Sequence, residues 1–423
     1  MSIDSLTVYR VVLPLRKRIA HASAARDSSE NIVVRCRLTD GSEGWGEGVP
    51  RPYVTGETPE GALRQLAATP LADQLAGDCN GWTEVIGLCA RLAPVIDAPA
   101  PRGCGSNALR CAVELSILDA YGRRFGKPLS AVASIAAQGI DGGVEVLRCA
   151  QNGCVDAPND RVRYSGAITA ESPSREVLSA LKMRLYGFAQ CKVKVGMLGR
   201  TDFQSVGAGT DWKSVLHLET ARLRRIRRVL GRRMDLRLDA NEAWPAAEAA
   251  RQIEPLLAHN VSCIEQPVPH AEVASLAELR RRLPVKIMLD ESLTSVADAQ
   301  AAIAGQTCDL FNLRLSKCGG FLNCLRLAAL ARAAGLGYQL GCHPGESGIL
   351  SAAGRHWACA VAGIAYLEGS YDRHLLKERL TREDITFGYG GWAPALSGPG
   401  LGVTVDAAAV ERLAVETRTF AVM

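Results

Sequence analysis

A chain of 423 residues, 48% hydrophobic and 22% charged, is long enough for a large core and is expected to form two soluble domains. Its 49 Lys+Arg against 44 Asp+Glu leave a net charge of only +5, mostly scattered, and there is no long apolar run of the kind that spans a membrane. Nucleic-acid and membrane partners are therefore not expected, and the 14 cysteines, without C-x-x-C spacing, read as buried thiols of a cytoplasmic protein rather than disulfides or a zinc site.

The first third reads as strands followed by helices. LTVYRVVL (6–13) and NIVVRCRL (31–38) have strand character, and the Asp-Gly at 40–41 predicts a hairpin turn into EGWGEG. The N-terminal stretch alternates like a strand and lacks the basic-then-apolar order of a signal peptide. Helical patterns follow at about 59–76, 82–93 and 107–124, giving an α+β unit over 1–135.

Over 162–374 the pattern becomes strand, loop, helix, repeated: VRYSGAI, CKVKVG, DLRLDAN, VSCIEQP, KIMLDES, LFNLRLSK, GYQLGC and IAYLEGS. Eight such units predict an α/β fold, a parallel (β/α)₈ TIM-like barrel, because parallel strands need crossovers and closure removes sheet edges. The run ARLRRIRRVLGRR (221–233) reads as a solvated helix face. From Lys194 to Asp239 is 45 residues, about 19 more than the later spacings, and the excess holds TDFQSV and TDWKSV, so an insertion is expected near 199–217. The stretch 138–161 has no assignable pattern. The segment 375–423, with SGPGLGVTVD as a turn into a strand, is expected to return to the first unit and complete an α+β capping domain.

Asp239, Glu265, Asp290, Lys317, His343 and Glu368 are separated by 26, 25, 27, 26 and 25 residues. That regularity places one polar group at the carboxyl end of each successive strand, the rim where barrels carry their chemistry. Three carboxylates there suit a hard divalent ion, Mg²⁺ or Mn²⁺, although a single Asp or Glu at such a place more often caps the next helix. Asn241 and Glu291 stand beside the presumed ligands as supporting partners. Lys194 and Lys317 fall four strands apart in a ring of eight, so they are expected to face each other across the mouth. Lys192, two residues before Lys194, points the same way but deeper, and two neighbouring ammonium groups are expected to lower each other's pKa. An amine on each side of a metal-held carboxylate suits removal of the proton α to it.

Together KVK, LDANEAW, IEQP, LDES and LSKCGG resemble the signature of the enolase superfamily, and within it the muconate lactonizing enzyme subgroup. That subgroup includes o-succinylbenzoate synthases, N-acylamino acid racemases and dipeptide epimerases. The resemblance implies Lys194 and Lys317 as acid/base residues, Asp239, Glu265 and Asp290 as ligands of Mg²⁺ or Mn²⁺, and a capping domain whose loops close over substrate. HASAARDSSEN (21–31) and PRPYVTGET (49–57) match those loops in position, making Arg26, Tyr53 and Thr55 candidate substrate contacts. Mandelate-racemase-type members carry His on the sixth strand, where this chain has Lys317. The aspartate-rich motif that dipeptide epimerases place on strand eight is reduced to Glu368. GCHPGESGIL replaces the more usual Met-containing stretch after strand seven, so His343 and Glu346 are candidate contacts, each balanced by a bland alternative: a His bonded to backbone, a Glu in the first helical turn.

The expected activity is that of a cycloisomerase-like isomerase on a small carboxylate, in a homo-oligomeric protein. The alternatives are a racemase or epimerase of an acylated amino acid, an o-succinylbenzoate-type dehydratase, and a non-catalytic barrel that keeps only the metal site.

Overall fold

A computed structural model describes residues 1–21, 24–96, 104–140, 160–169, 172–196 and 210–422. In the N-terminal part, β1 (Ile3–His21), β2 (Ala24–Leu38) and β3 (Glu43–Gly48) form an antiparallel sheet. The Asp-Gly turn joins β2 to β3, with Gly41 at φ +86°, a left-handed conformation that glycine adopts without strain. The alternate glycines of EGWGEG let a helix lie directly on this sheet. A Cβ at Gly44, Gly46 or Gly48 would fall 2.0, 2.1 and 1.9 Å from backbone atoms of Ala120, Ala112 and Ala108. Within the stretch 21–31, expected as a loop, His21 and residues 24–31 are instead strand, β1 and β2 pairing at Ile19↔Arg26 and His21↔Ala24. Their polar, small residues hid a hairpin whose two arms satisfy each other's backbone.

Helices α1 (Pro59–Ala68), α2 (Leu71–Leu75), α3 (Trp82–Arg91), α4 (Asn107–Phe125) and α5 (Ala131–Gln138) complete this unit, α4 being the one that covers the glycine face. Pro70, which cannot continue a helix, separates α1 from α2.

VRYSGAI divides into β4 (Arg161–Arg163) and β5 (Gly166–Ile168). Then β6 (Gln190–Lys194), β7 (Asp235–Asp239), β8 (Val261–Glu265), β9 (Lys286–Leu289), β10 (Leu310–Leu313), β11 (Gly337–Leu340) and β12 (Ile364–Leu367) follow in order, each pairing in parallel with its sequence neighbour. The Ser165 N–H donates to Leu367 O at 2.8 Å, joining the first strand's entry to the last strand and closing the barrel. Between the strands run α6 (Pro173–Leu185), α7 (Trp212–Leu230), α8 (Ala246–Ile253), α9 (Leu276–Arg282), α10 (Val296–Gly305), α11 (Phe321–Ala333) and α12 (Gly348–Ala360).

Side-chain alternation sorts the strands into two layers. Leu236, Leu238, Ile264, Ile287, Phe311 and Leu313 join the large core shared with the helices. Cys263, Met288, Leu310 and Tyr366, on the opposite phase, form a separate apolar cluster, the floor of the barrel interior.

Beyond the barrel lie α13 (Asp372–Leu375), β13 (Trp392–Pro394), α14 (Ala407–Leu413) and β14 (Ala414–Ala421). β13 pairs with β4, and β14 with β1, so the chain end does lie on the N-terminal sheet. SGPGLGVTVD, expected to enter a strand, is turn and bend instead, because Gly400 and Gly402 take φ +62° and +66°. The basic run is not simply a solvated face either. Arg222 is buried against Glu176 and Glu219, and Arg227 donates to the carbonyls of Gly231, Met234, His259 and Asn260. TDWKSV opens α7, with Asp211 capping Ser214 N–H, while TDFQSV and residues 141–159 lie outside the described residues. Among the described residues every cysteine is a free thiol, all but Cys342 are buried, and no helix is long and apolar enough to cross a membrane.

Candidate active site

On β6, Cys191 and Val193 are fully buried outward in the core, which turns Lys192 and Lys194 inward. Lys194 stands level with Asp239, which is level with Glu265, while one layer down Lys192 is level with Arg237. The Lys192 ammonium lies 2.9 Å from Glu368 and 3.4 Å from both Asp239 and Glu265. This corrects the expected effect of the pair on its own charge. Burial disfavours the Lys192 ammonium, but the carboxylates of Glu265, Glu368 and Asp239 outweigh burial and hold its pKa well above the ordinary value. Lys192 is thus a fixed cation at the centre of an acidic cluster.

Lys317 follows β10 in the turn RLSKCGG. Its ammonium is fully buried and donates to Asp290 O at 2.7 Å, Asp290 Oδ1 at 2.8 Å and Asn312 O at 2.8 Å, engaging all three of its protons. The turn depends on Gly320 at φ +117°, where a Cβ would lie 2.4 Å from Glu114 Oε1. Lys194 differs. It is only partly buried, and its ammonium makes no hydrogen bond or ion pair among the described residues. The two amines come from β6 and from the end of β10, four strands apart, with the acidic ends of β7, β8 and β9 between them.

Asp239, Glu265 and Asp290 are all buried at these neighbouring strand ends. They do not gather around one point, as the spacing had suggested. Among the described residues no three acidic, histidine or cysteine side chains are grouped to hold an ion. Asp239 and Glu265 turn toward Lys192, whereas Asp290 turns away to Arg314 and Lys317. Burial would raise the Asp290 pKa, but the Arg314 and Lys317 charges outweigh it and hold the carboxyl below the usual range. Glu265 is pushed well up, by burial first and then by Asp239, Glu368 and Asp290 despite Lys192. The donor set suits a hard divalent cation in kind and charge; gathering it requires Asp290 to leave Arg314. Asn241 donates to Glu291 at 3.0 Å, and its own N–H donates to Asp239 Oδ1 at 3.1 Å, so both residues brace the cluster.

Several residues of the interior were not singled out from the sequence. Arg237 is fully buried, pairs with Glu368 at 2.5 Å and lies 4.1 Å over the Tyr366 ring. Asn312 donates to Glu265 at 2.7 Å, and Arg314 grips Asp290. The inward period of two that located Lys192 and Lys194 also reaches Arg237 from Asp239, and Asn312 and Arg314 from Leu310. Glu368, a candidate substrate contact, is occupied by Lys192 and Arg237; burial raises its pKa, but those two cations bring it down to about 2.

Over the mouth, Arg26 donates to Tyr53 Oη at 3.1 Å and to Pro344 O at 2.9 Å, tying the cap to the GCHPGES loop. Thr55 does not join them: it is buried, and its hydroxyl returns to Arg51 O at 3.4 Å. Glu346 precedes the helix cap Ser347 rather than opening the helix, and accepts the His343 N–H at 2.5 Å. Burial pushes Glu346 up to about 8, and burial followed by the Arg314 and Arg51 charges keeps His343 well below its ordinary value, hence neutral.

Residues 176–409 match the family model described as enolase C-terminal domain-like. The chain is 27% identical to muconate cycloisomerase 1 of Rhodococcus opacus, over 97% of this chain and 98% of that one. It is 25% identical to an L-Ala-D/L-Glu epimerase of Clostridium acetobutylicum, over 81% and 82%. Among solved structures, a dipeptide epimerase from Cytophaga hutchinsonii in complex with Mg and D-Ala-L-Val shares the fold, with a TM-score of 0.78 at 23% identity, covering 99% of this chain and all of that one. With the family model matching more than half of the sequence, the chain belongs to the enolase C-terminal domain-like family.

Proposed function

We propose that this protein is an isomerase that removes the proton α to a carboxylate, working on a small carboxylate in the manner of a cycloisomerase. Asp239, Glu265 and Asp290 would hold Mg²⁺ or Mn²⁺, and Asn241 and Glu291 would support them. When bound, the ion offsets the negative charge that builds on the substrate carboxylate as the proton leaves.

The observation that carries this reading is the inequality of the two lysines. Lys317 has every proton committed to Asp290 and Asn312, which suits a stationary cation on one face of the substrate. Lys194, partly exposed and unengaged among the described residues, is free to exchange a proton on the other face. One mobile and one fixed amine suit a reaction in which protonation occurs on a single face. Lys192 holds Asp239, Glu265 and Glu368 in place beneath them, and the cap, through Arg26 and Tyr53, shields the mouth from water.

A racemase or epimerase acting on an acylated amino acid is the second reading, supported by the epimerase relative and by the presence of an amine on each side. The test is product stereochemistry in D₂O, with cis,cis-muconate and both enantiomers of an N-acylamino acid. The proposal expects lactone labelled on one face and no α-exchange of either enantiomer. Label entering both enantiomers establishes the second reading instead.

A further inference from the structure

The GCHPGES loop is fixed to the cap just after His343. Pro344 O accepts from Arg26 at 2.9 Å, Gly345 O accepts from Asn31 at 2.9 Å, and Ser347 donates its hydroxyl to Glu47 at 2.6 Å, all three partners lying on the cap. The His343 N–H is held by Glu346. The imidazole that this framework carries is only 3% exposed, yet among the described residues neither ring nitrogen has a hydrogen bond, and the Glu346 carboxylate is 3.8 Å from Nδ1. Leaving a buried polar group unmet is costly, so a side chain held this firmly without a partner calls for one.

His343 follows β11, beside the end of β10 that carries Arg314, and its loop is tied to Arg26 and Asn31 of the cap, with Arg51 3.5 Å from Pro344 O, so the imidazole lies between the barrel rim and the lid above it. A neutral imidazole offers one N–H and one lone pair. With guanidinium groups on both sides, the favoured visitor is an oxygen, met by the N–H.

We propose that His343 is a specificity-determining substrate contact that donates a hydrogen bond to a carboxylate or carbonyl oxygen at the substrate's distal end, remote from the carboxylate whose α-proton is removed. The substrate class is then a carboxylic acid with a second oxygen-bearing group, as opposed to one ending in hydrocarbon. This deepens the proposed function and rests on it.

Two probe pairs test it, each differing only in a terminal carboxylate against a methyl: cis,cis-muconate with (2Z,4Z)-hexa-2,4-dienoate, and N-succinyl-L-alanine with N-butyryl-L-alanine. Calorimetric binding to the Mg²⁺-loaded protein is measured for wild type, His343→Leu and His343→Gln, with thermal unfolding to verify folding. For at least one pair the wild type binds the carboxylate-ended probe at least tenfold more tightly. His343→Leu removes that ratio while changing the methyl-ended affinity less than twofold, and His343→Gln, which retains an N–H, keeps most of the ratio. The ¹⁵N shift of the His343 ring moves with the carboxylate-ended probe alone. A ratio unchanged in His343→Leu, an equal loss for both members of a pair, or no preference in the wild type overturns the assignment and leaves the proposed function standing. A folded wild type that binds none of the four overturns both.

Discussion

Inside the barrel, Glu368 joins two cations: its carboxylate lies 2.5 Å from Arg237 and 2.9 Å from Lys192. Arg237 is wholly buried and makes no other ion pair among the described residues, so its charge depends on Glu368. Glu368→Leu should lower stability by about 3–5 kcal/mol, the cost of stranding a buried charge. Urea unfolding measures this, and the double variant Arg237→Met with Glu368→Leu should recover most of the loss. A single variant as stable as wild type would show that the pair does not hold the interior.

Stability should fall as pH rises toward 8. Glu57 and Glu114 lie in the seam between cap and barrel or beneath it, Glu57 accepting Ala108 N–H and Glu114 accepting Leu322 N–H. Burial pushes each carboxyl up to about 7 in the folded protein. Their folded pKa values exceed the unfolded ones, so between about pH 4.5 and 7 the folded state binds more protons, and stability declines through that window as pH rises. The urea midpoint should be higher at pH 5.5 than at pH 8, with a smaller difference in Glu114→Gln. Asp290 and Glu368 shift the other way, and their contribution is lost only as pH falls below about 4.

The barrel was legible because its strands bury an outward phase of Leu, Ile, Val and Phe, and six successive strands end on a polar residue at a regular interval. The hairpin at 21–31 was not, since its pairing is set by the partner strand rather than by its own Ala, Ser and Asp residues. For the site, position could be read and orientation could not. Lys192 was expected to disturb Lys194 because the sequence shows two adjacent cations; it does not show Glu368, 176 residues away, arriving to hold one of them. Likewise the spacing places Asp290 beside Asp239 and Glu265 but says nothing of Arg314, which draws it aside.

Divalent ions should stabilise the protein. Mg²⁺ or Mn²⁺ added to the metal-free chain is expected to raise the melting temperature, since a ligand at 100 times its Kd adds about 2.7 kcal/mol. Asp290→Asn and Asp239→Asn should each abolish most of that shift. An equal shift in both variants would place the ion elsewhere.

The most direct measurement of the central claim is α-proton exchange in D₂O with the Mg²⁺-loaded protein, across a set of small carboxylates, for wild type and Lys194→Ala. The wild type should exchange at least one of them, and Lys194→Ala, folded and still binding that carboxylate, should do so about 10²–10⁴-fold more slowly. Exchange that persists within a few-fold in the variant, or a folded, metal-loaded wild type that exchanges none, would contradict the role assigned to Lys194.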